Sequence, residues 1–269
     1  MSHRSERYDA IYLSPHLDDA ILSCGAQIHR RAARGERVMV LTVFTADVPD
    51  GALSDLAVRV LLWMGLRRER AMAVRRDEDL RACEGVGAEV VHWPFAEATF
   101  RRRTVPGSEG PEPGDEELGG DELYVTARQL FARPVEADIP LIEELASAFE
   151  RLPPADGVFS PLAVGSHADH HVVRSAAEHA FGNHLAYYED FPYVRKFRAL
   201  GKALGRRREW RGLAVEVEEV NIRARLRAIR EYGSQITPLF GDERRMEKAV
   251  RRYSQKVGGE RLWYPRLDS

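Results

Sequence analysis

The sequence predicts an α/β fold in which a mostly parallel sheet carries helices on both faces. Two strand-like runs, 8–14 and 37–44, flank a helical pattern that covers 19–34 and ends at Gly35. A strand, a helix that stops at a glycine and a second strand form a βαβ unit. The run at 37–44 is almost continuously apolar, which is typical of a parallel strand covered on both faces.

The alternation of helix and strand continues along the chain. Helical spacing recurs at 67–84, 139–151 and 170–181, and strand-like runs lie at 88–93 and 156–161. This order predicts parallel strands joined by right-handed crossovers. A strand at 212–217 and an Arg-rich helix at 219–232 predict an α/β extension at the C-terminus.

Length and composition describe an ordinary globular protein. The chain has 269 residues, of which 44% are hydrophobic and 30% are charged, and its formal net charge is −2. These values fit a single domain over residues 1–269, and they give no overall basic excess that would indicate nucleic-acid binding. We therefore expect a small-molecule partner, and the composition leaves a homo-oligomer open.

Two further features bear on the compartment. Cys24 and Cys83 lie in separate predicted helices and form neither a disulfide framework nor a CxxC pair, which favours a reducing environment. The polar first residues lead directly into a strand, and no apolar run approaches the roughly 20 residues of a membrane helix. We expect a cytoplasmic protein without an integral membrane segment.

Two segments stand out by composition alone. Residues 101–120 shift to proline, glycine and glutamate, which predicts a mobile acidic surface insertion. The basic segment 206–211 is open to two interpretations, a phosphate or polyanion site and a solvated face. Charges of both signs surround it, which favours the solvated face. Nucleic-acid binding by the Arg-rich C-terminal third rests on this local charge alone.

A first polar motif lies where the first strand ends and its helix begins. It reads Pro15-His16-Leu17-Asp18-Asp19. Sites in open α/β sheets form at the carboxyl ends of strands. A single Asp would be enough to cap the helix, and two adjacent carboxylates repel each other unless a cation holds at least one of them ionised. The motif therefore favours a functional role over helix capping.

A second motif, at 165–171, follows the strand at 156–161 and opens the next helix. It contains His167, Asp169, His170 and His171. One histidine there would indicate a surface residue or a helix cap, but three with an aspartate make that account less favourable. His171 is expected to point away, since adjacent helical residues face different directions.

Together the motifs predict a divalent-metal hydrolase. His16, Asp19 and His170 would supply two imidazoles and a carboxylate, and a fourth position would be left for water. Bound metal lowers the pKa of water to about 7 in good zinc sites, and Asp18 would act as general base. His167 is expected to stabilise the oxyanion or protonate the leaving nitrogen, while Asp169 orients its ring and raises its pKa. Such a ligand set also admits Fe²⁺ or another divalent ion.

At these residues the chain resembles the LmbE-like, or PIG-L, family of metal-dependent N-deacetylases. The family's Pro-His-x-Asp-Asp motif is present at residues 15–19, and its His-x-Asp-His motif at 167–170. The resemblance implies a Rossmann-like fold, a zinc ion and the residue roles given above. It also implies removal of an N-acetyl group from an amino sugar such as N-acetylglucosamine. An amidase acting on a thiol-sugar conjugate, or an inactive metal-dependent sugar-binding protein, stays open as an alternative.

Weaker matches extend the resemblance over most of the chain. Arg75 resembles an arginine that contacts the sugar, and Glu97 stands where the family usually has an aspartate that binds a sugar hydroxyl. Segments 188–193 and 232–235 also resemble later family segments, with core packing and helix capping as the competing interpretation. The mycothiol enzyme of the family has a tyrosine just before the second motif. This chain has Val-Gly-Ser at 164–166, so a loop residue would assist the oxyanion or His167 would act alone.

Overall fold

The computed structural model describes residues 7–103, 122–206 and 209–266. Within them, seven strands form one sheet in the order β3-β2-β1-β4-β5-β7-β6. The strands are β1 (Ala10–Ser14), β2 (Val38–Thr42), β3 (Glu89–His92), β4 (Val158–Pro161), β5 (Leu185–Tyr188), β6 (Trp210–Val215) and β7 (Glu260–Pro265). The first five pair in parallel, and β7 and β6 extend the sheet antiparallel. The sheet is therefore mostly parallel, and β6 is the strand of the predicted C-terminal extension, whereas β7 was not predicted.

Helices cover both faces of this sheet. The longer ones are α1 (Asp19–Ala32), α2 (Asp55–Met64), α3 (Arg68–Gly85), α5 (Ile139–Phe149), α6 (Ala168–Phe181), α8 (Glu219–Glu231), α9 (Gly233–Phe240) and α10 (Glu243–Val257), and the short ones are α4 (Ala127–Leu130) and α7 (Ala199–Leu204). Side chains of β1 alternate between the two layers, as strand geometry requires. Ala10 and Tyr12 pack in the core with α1, α3, α8 and α10. Ile11 and Leu13 pack in the core with α5 and α6.

Most elements predicted from the sequence are present, with ends that differ by a few residues. The first strand begins at Ala10 because Tyr8 forms only an isolated bridge to Ala155. The first helix ends at Ala32, and Gly35 follows with a φ of 81°. Seven further elements were not predicted from the sequence: α2, α4, α7, α9, α10, β5 and β7.

Two other expectations concern the chain as a whole. Within the described residues, no helix combines the length and apolar character that crossing a bilayer requires. The acidic insertion expected at 101–120 lies outside the described residues from position 104 onward.

Candidate active site

The two polar motifs meet at the carboxyl edge of the sheet. Because β1 pairs in parallel with β4, the loops that follow Ser14 and Pro161 leave the sheet side by side. The Ser14 hydroxyl donates to the His16 carbonyl at 2.7 Å and accepts from the Ala20 N–H at 3.0 Å. These two bonds fix the turn that carries the first motif into α1.

One carboxylate oxygen of Asp19 faces two imidazole rings. Its Oδ2 lies 3.0 Å from His16 Nδ1 and 3.2 Å from His170 Nε2. Ligand atoms around a tetrahedral zinc, each 2.0–2.1 Å from the metal, are about 3.3 Å apart. One ring nitrogen from each of His16, His167 and His170 also lies within 4.8 Å of the others. The donor types and their spacing fit a divalent cation.

In His16 and His170, the ring nitrogen that does not face Asp19 contacts a second carboxylate. Asp169 Oδ2 lies 2.9 Å from His16 Nε2, and Asp190 Oδ1 lies 2.6 Å from His170 Nδ1. Asp190 also accepts the Val164 N–H at 2.7 Å. Carboxylates of this kind fix the orientation of metal-ligating histidines. Asp190 is a site residue that the sequence analysis missed, since it comes from the segment after β5.

Asp169 is held by a further network. Its carboxylate accepts the Ala98 N–H at 2.8 Å and pairs with Arg101 Nη1 at 2.8 Å, and Arg101 Nε pairs with Asp138 at 2.9 Å. Burial would raise the pKa of Asp169, but Arg101 and His16 hold it well below its usual range. The Asp169 side chain therefore orients His16, and its contact with His167 runs through the backbone.

The electrostatics around Asp19 and His170 favour a cation. Burial opposes a charge on His170, but Asp19 and Asp190 outweigh it and raise the pKa of this imidazole to about 10. Burial likewise opposes ionisation of Asp19, while His170 and His16 hold its pKa well below the usual range. The negative potential that favours a proton on His170 also favours a metal cation at its Nε2.

His167 sits at the N-terminus of α6. Its Nδ1 accepts the Asp169 N–H at 3.2 Å, and its ring lies edge-on to His16 at 4.8 Å. Burial and the charge on His16 lower the pKa of His167 well below its ordinary value, and the opposite influence of Asp169 is weaker. This differs from the expected rise, because the Asp169 carboxylate faces His16. The geometry leaves Nε2 of His167 available either to donate a hydrogen bond to a substrate or to bind a metal ion.

Asp18 lies in the same cavity and does not cap α1 with its side chain. It is 6% exposed, and burial together with the charge on Asp19 raises its pKa to about 7. A carboxylate with a pKa near neutrality is suited to general-base work. Asp18 occupies the N-cap position of α1, but its side chain makes no capping hydrogen bond, so capping does not explain the residue.

The two residues expected to bind the sugar form a buried ion pair. Arg75 on α3 pairs with Glu97, and both line the cavity that contains Asp18. The Arg75 Nε atom is buried without a hydrogen-bond partner among the described residues. A buried N–H group without a hydrogen bond costs free energy. The Arg75 Nε atom is therefore a candidate donor to a substrate oxygen.

The cavity that contains Asp18 has a volume of about 450 Å³, and its outer wall is largely apolar. It is the candidate substrate cavity. Apolar side chains of α2, α4 and the segment around 192–193 form this wall: Leu56, Val60, Trp63, Met64, Leu130, Phe131, Pro192 and Tyr193. This wall was not predicted from the sequence, since apolar residues on a helix that faces a cavity follow the same spacing as residues that face a core.

The two later segments that resemble the family divide between core and cavity. The Tyr188 hydroxyl donates to the Leu13 carbonyl at 2.8 Å, and the Tyr232 hydroxyl donates to Asp79 at 2.6 Å. Both tyrosines are buried, as the core-packing interpretation requires. Tyr193 and Gln235 instead line the cavity.

Comparison with known proteins identifies the family. The profile described as "PIG-L: GlcNAc-PI de-N-acetylase" matches residues 11–181. The 2'-N-acetylparomamine deacetylase of Streptomyces fradiae is 31% identical over 250 residues, which cover 87% of this chain and 76% of that protein. A protein of the same name from Niallia circulans is 27% identical over 252 residues, with 87% and 82% covered.

Solved structures agree with this result. A deacetylase of teicoplanin biosynthesis in complex with teicoplanin is 26% identical, covers 98% of this chain and 100% of its own, and has a TM-score of 0.74. A deacetylase–bog complex from the same biosynthetic pathway is 25% identical with 98% of each chain covered and a TM-score of 0.76. The chain therefore belongs to the PIG-L, or LmbE-like, family of N-deacetylases, which are amide hydrolases.

Proposed function

We propose that this protein is a zinc-dependent hydrolase that removes an N-acetyl group from an amino sugar of the N-acetylglucosamine type. The observation that carries the proposal is the convergence of His16 Nδ1 and His170 Nε2 on Asp19 Oδ2, beside the buried carboxylate of Asp18. The relatives named above as deacetylases of N-acetylparomamine and of teicoplanin biosynthesis support an amino-sugar substrate within a small molecule or glycoconjugate.

In this proposal His16, Asp19 and His170 hold the metal, while Asp169 and Asp190 fix the two rings. Zinc, when bound, lowers the pKa of a water molecule and polarises the amide carbonyl. Fe²⁺ is the second candidate, because two imidazoles and one carboxylate suit several divalent ions.

The remaining site residues handle protons and the sugar. Asp18 accepts the proton of the attacking water, for which a pKa of about 7 is favourable. His167 is neutral because of its lowered pKa, and it donates a hydrogen bond to the developing oxyanion. Asp18 then gives the proton that it accepted from water to the leaving nitrogen. Arg75 and Glu97 bind sugar hydroxyls from the wall of the cavity. Acetate and a free amine are the products.

The direct test is acetate release from N-acetylglucosamine glycosides and N-acetylated aminoglycosides. Protein stripped with a chelator and then reloaded with zinc should release acetate, and the stripped protein should not. Reloading with Fe²⁺ compares the two candidate metals. Activity confined to thiol-sugar conjugates would replace the proposal with the amidase alternative. Stoichiometric metal binding without release of any acyl group would indicate a sugar-binding protein.

A further inference from the structure

Exposed apolar side chains surround the mouth of the substrate cavity. Trp63 and Phe131 line the cavity and are nevertheless 61% and 41% exposed. Leu62 lies one turn after Arg59, which also lines the cavity, and is 74% exposed. Phe197 follows Lys196 in the chain and is 90% exposed. Clustered apolar side chains with this exposure mark a surface that binds another body, whereas single scattered ones do not.

A second concavity carries an excess of positive charge. This basic groove has a volume of about 660 Å³. Its lining includes Phe197 and five cations, Arg195, Lys196, Arg198, Arg252 and Lys256. None of the five forms an ion pair with another described residue, and the one acid in the lining, Glu189, is already bound to Tyr253, Trp263 and Arg261. Because the net charge of the chain is −2, the positive charge is a local concentration.

The basic groove and the cavity mouth share a border. The Lys196 ammonium lies 5.6 Å from the centre of the Phe131 ring and 4.9 Å from that of Tyr193. Both rings line the substrate cavity, while Lys196 itself lines the groove. The exposed apolar residues and the unpaired cations therefore form one continuous face.

We propose that this face is a docking surface for an anionic phospholipid bilayer. Headgroup phosphates would pair with the five cations of the basic groove, and Phe197 would enter the boundary between headgroups and acyl chains. Basic residues that flank exposed aromatic and aliphatic side chains are the combination that holds proteins at an anionic lipid surface. The docked face would place the cavity mouth against the bilayer.

Other occupants account for only part of the face. A nucleic acid would use the cations and a stacked Phe197, but it offers nothing for aliphatic Leu62. A second copy of the chain would use the apolar side chains, but an isologous contact here would bring two basic grooves together. An anionic bilayer uses both sets of residues.

The test is co-sedimentation of the full chain with vesicles of phosphatidylcholine, with and without phosphatidylglycerol. The intact protein should bind only the anionic vesicles, and high salt should release it. Each Lys or Arg near an anionic surface contributes about fivefold in binding. The double variant Arg252→Glu/Lys256→Glu should therefore lose at least about tenfold, and Phe197→Ser should weaken binding severalfold while salt dependence is retained.

Matched controls separate the face from net charge and from folding. The variant Arg34→Glu/Arg227→Glu changes the charge equally at exposed positions outside the groove, and Val220→Ser removes an apolar side chain that is 53% exposed. Both should bind nearly as the intact protein does, and every variant should keep its circular-dichroism spectrum. The proposal is overturned if the intact protein ignores phosphatidylglycerol, or if the control double variant loses as much as the groove variant. Tighter binding to a DNA duplex than to vesicles, or a dimer that Phe197→Ser dissociates, would equally overturn it.

Discussion

The inner end of the cavity and its outer wall are built in opposite ways. At the inner end, Asp169 and His170 are at most 1% exposed, and each is held by partners on other elements. On the outer wall, the apolar side chains of Trp63 and Phe131 are exposed over a large fraction of their surface. A set of polar groups held by hydrogen bonds therefore lies behind a rim of exposed apolar side chains, of which Phe131 has ring contacts with His167, Tyr193 and Lys196.

This difference separates chemistry from selectivity. In the proposed function, hydrogen bonds that fix the rings of His16 and His170 would let the inner residues stabilise a transition state without reorganising. Apolar contacts at the rim bind whatever surface a substrate presents, and they contribute according to the area buried. Substitutions at the inner end should change kcat or metal affinity, and substitutions on the rim should change KM for particular substrates.

The largest effect is expected for Asp18→Asn. The amide keeps the shape of the side chain but cannot accept a proton from water, so kcat should fall by about 10²–10⁴-fold. Metal content, measured after dialysis, should equal that of the unaltered protein, since Asp18 is not among the proposed ligands. Near-normal turnover in this variant would show that another group acts as the base.

A smaller effect is expected for Asp190→Asn, which weakens the partner that fixes the His170 ring. Affinity for zinc, measured by competition with a chromophoric chelator, should fall by about 10–100-fold. Asp79→Asn is the matched control, because Asp79 is also buried but contacts Thr42, His92 and Tyr232 instead of a proposed ligand. Equal losses of zinc affinity in the two variants would mean that Asp190 acts only through stability.

The inner end could be largely anticipated from the sequence. The motifs at 15–19 and 167–170 follow two strands whose apolar runs predict parallel pairing, and this pairing brings His16 and His170 to one edge of the sheet. Segment 188–193 resembles the family, but the contact of its Asp190 with His170 was not predicted, because β5 was not identified and sequence spacing does not relate the two residues. A single carboxylate can be recognised as part of a site only when the residue that it contacts in the folded protein is known.

The rim and the C-terminal elements show why the rest could not be anticipated. On α10, the buried residues Met246, Val250, Tyr253 and Val257 have helical spacing, so a signal was present among the surrounding charges. On α2, Val60 and Trp63 face the cavity, whereas Ala57 and Leu61 are buried. Periodicity predicts an apolar stripe, but it does not tell a core from a substrate pocket.

Tyr193→Phe tests whether Tyr193 belongs to the inner end of the cavity or to its rim. This tyrosine lines the cavity, its ring lies edge-on to His170 at 6.2 Å, and its hydroxyl has no hydrogen-bond partner among the described residues. If that hydroxyl donates to the oxyanion, its loss should lower kcat by about tenfold and leave KM nearly unchanged. Tyr188→Phe is the control, since its hydroxyl binds the Leu13 carbonyl in the core. An unchanged kcat in Tyr193→Phe would assign this residue to the rim.

The smallest effect is expected for Trp63→Ala, and it discriminates most sharply between the two regions. Because Trp63 is 61% exposed, a substrate with a bulky apolar aglycone would bury the rest of the ring, while a simple N-acetylglucosamine glycoside would not reach it. Loss of that contact should raise KM for the bulky substrate by about fivefold and leave KM for the simple one unchanged. Leu80→Ala, on an exposed position of α3 outside the cavity, should alter neither value. A fall in kcat for both substrates would show that the rim also orients the reacting amide. In that case Trp63 on α2 would contribute to catalysis as well as to substrate selectivity.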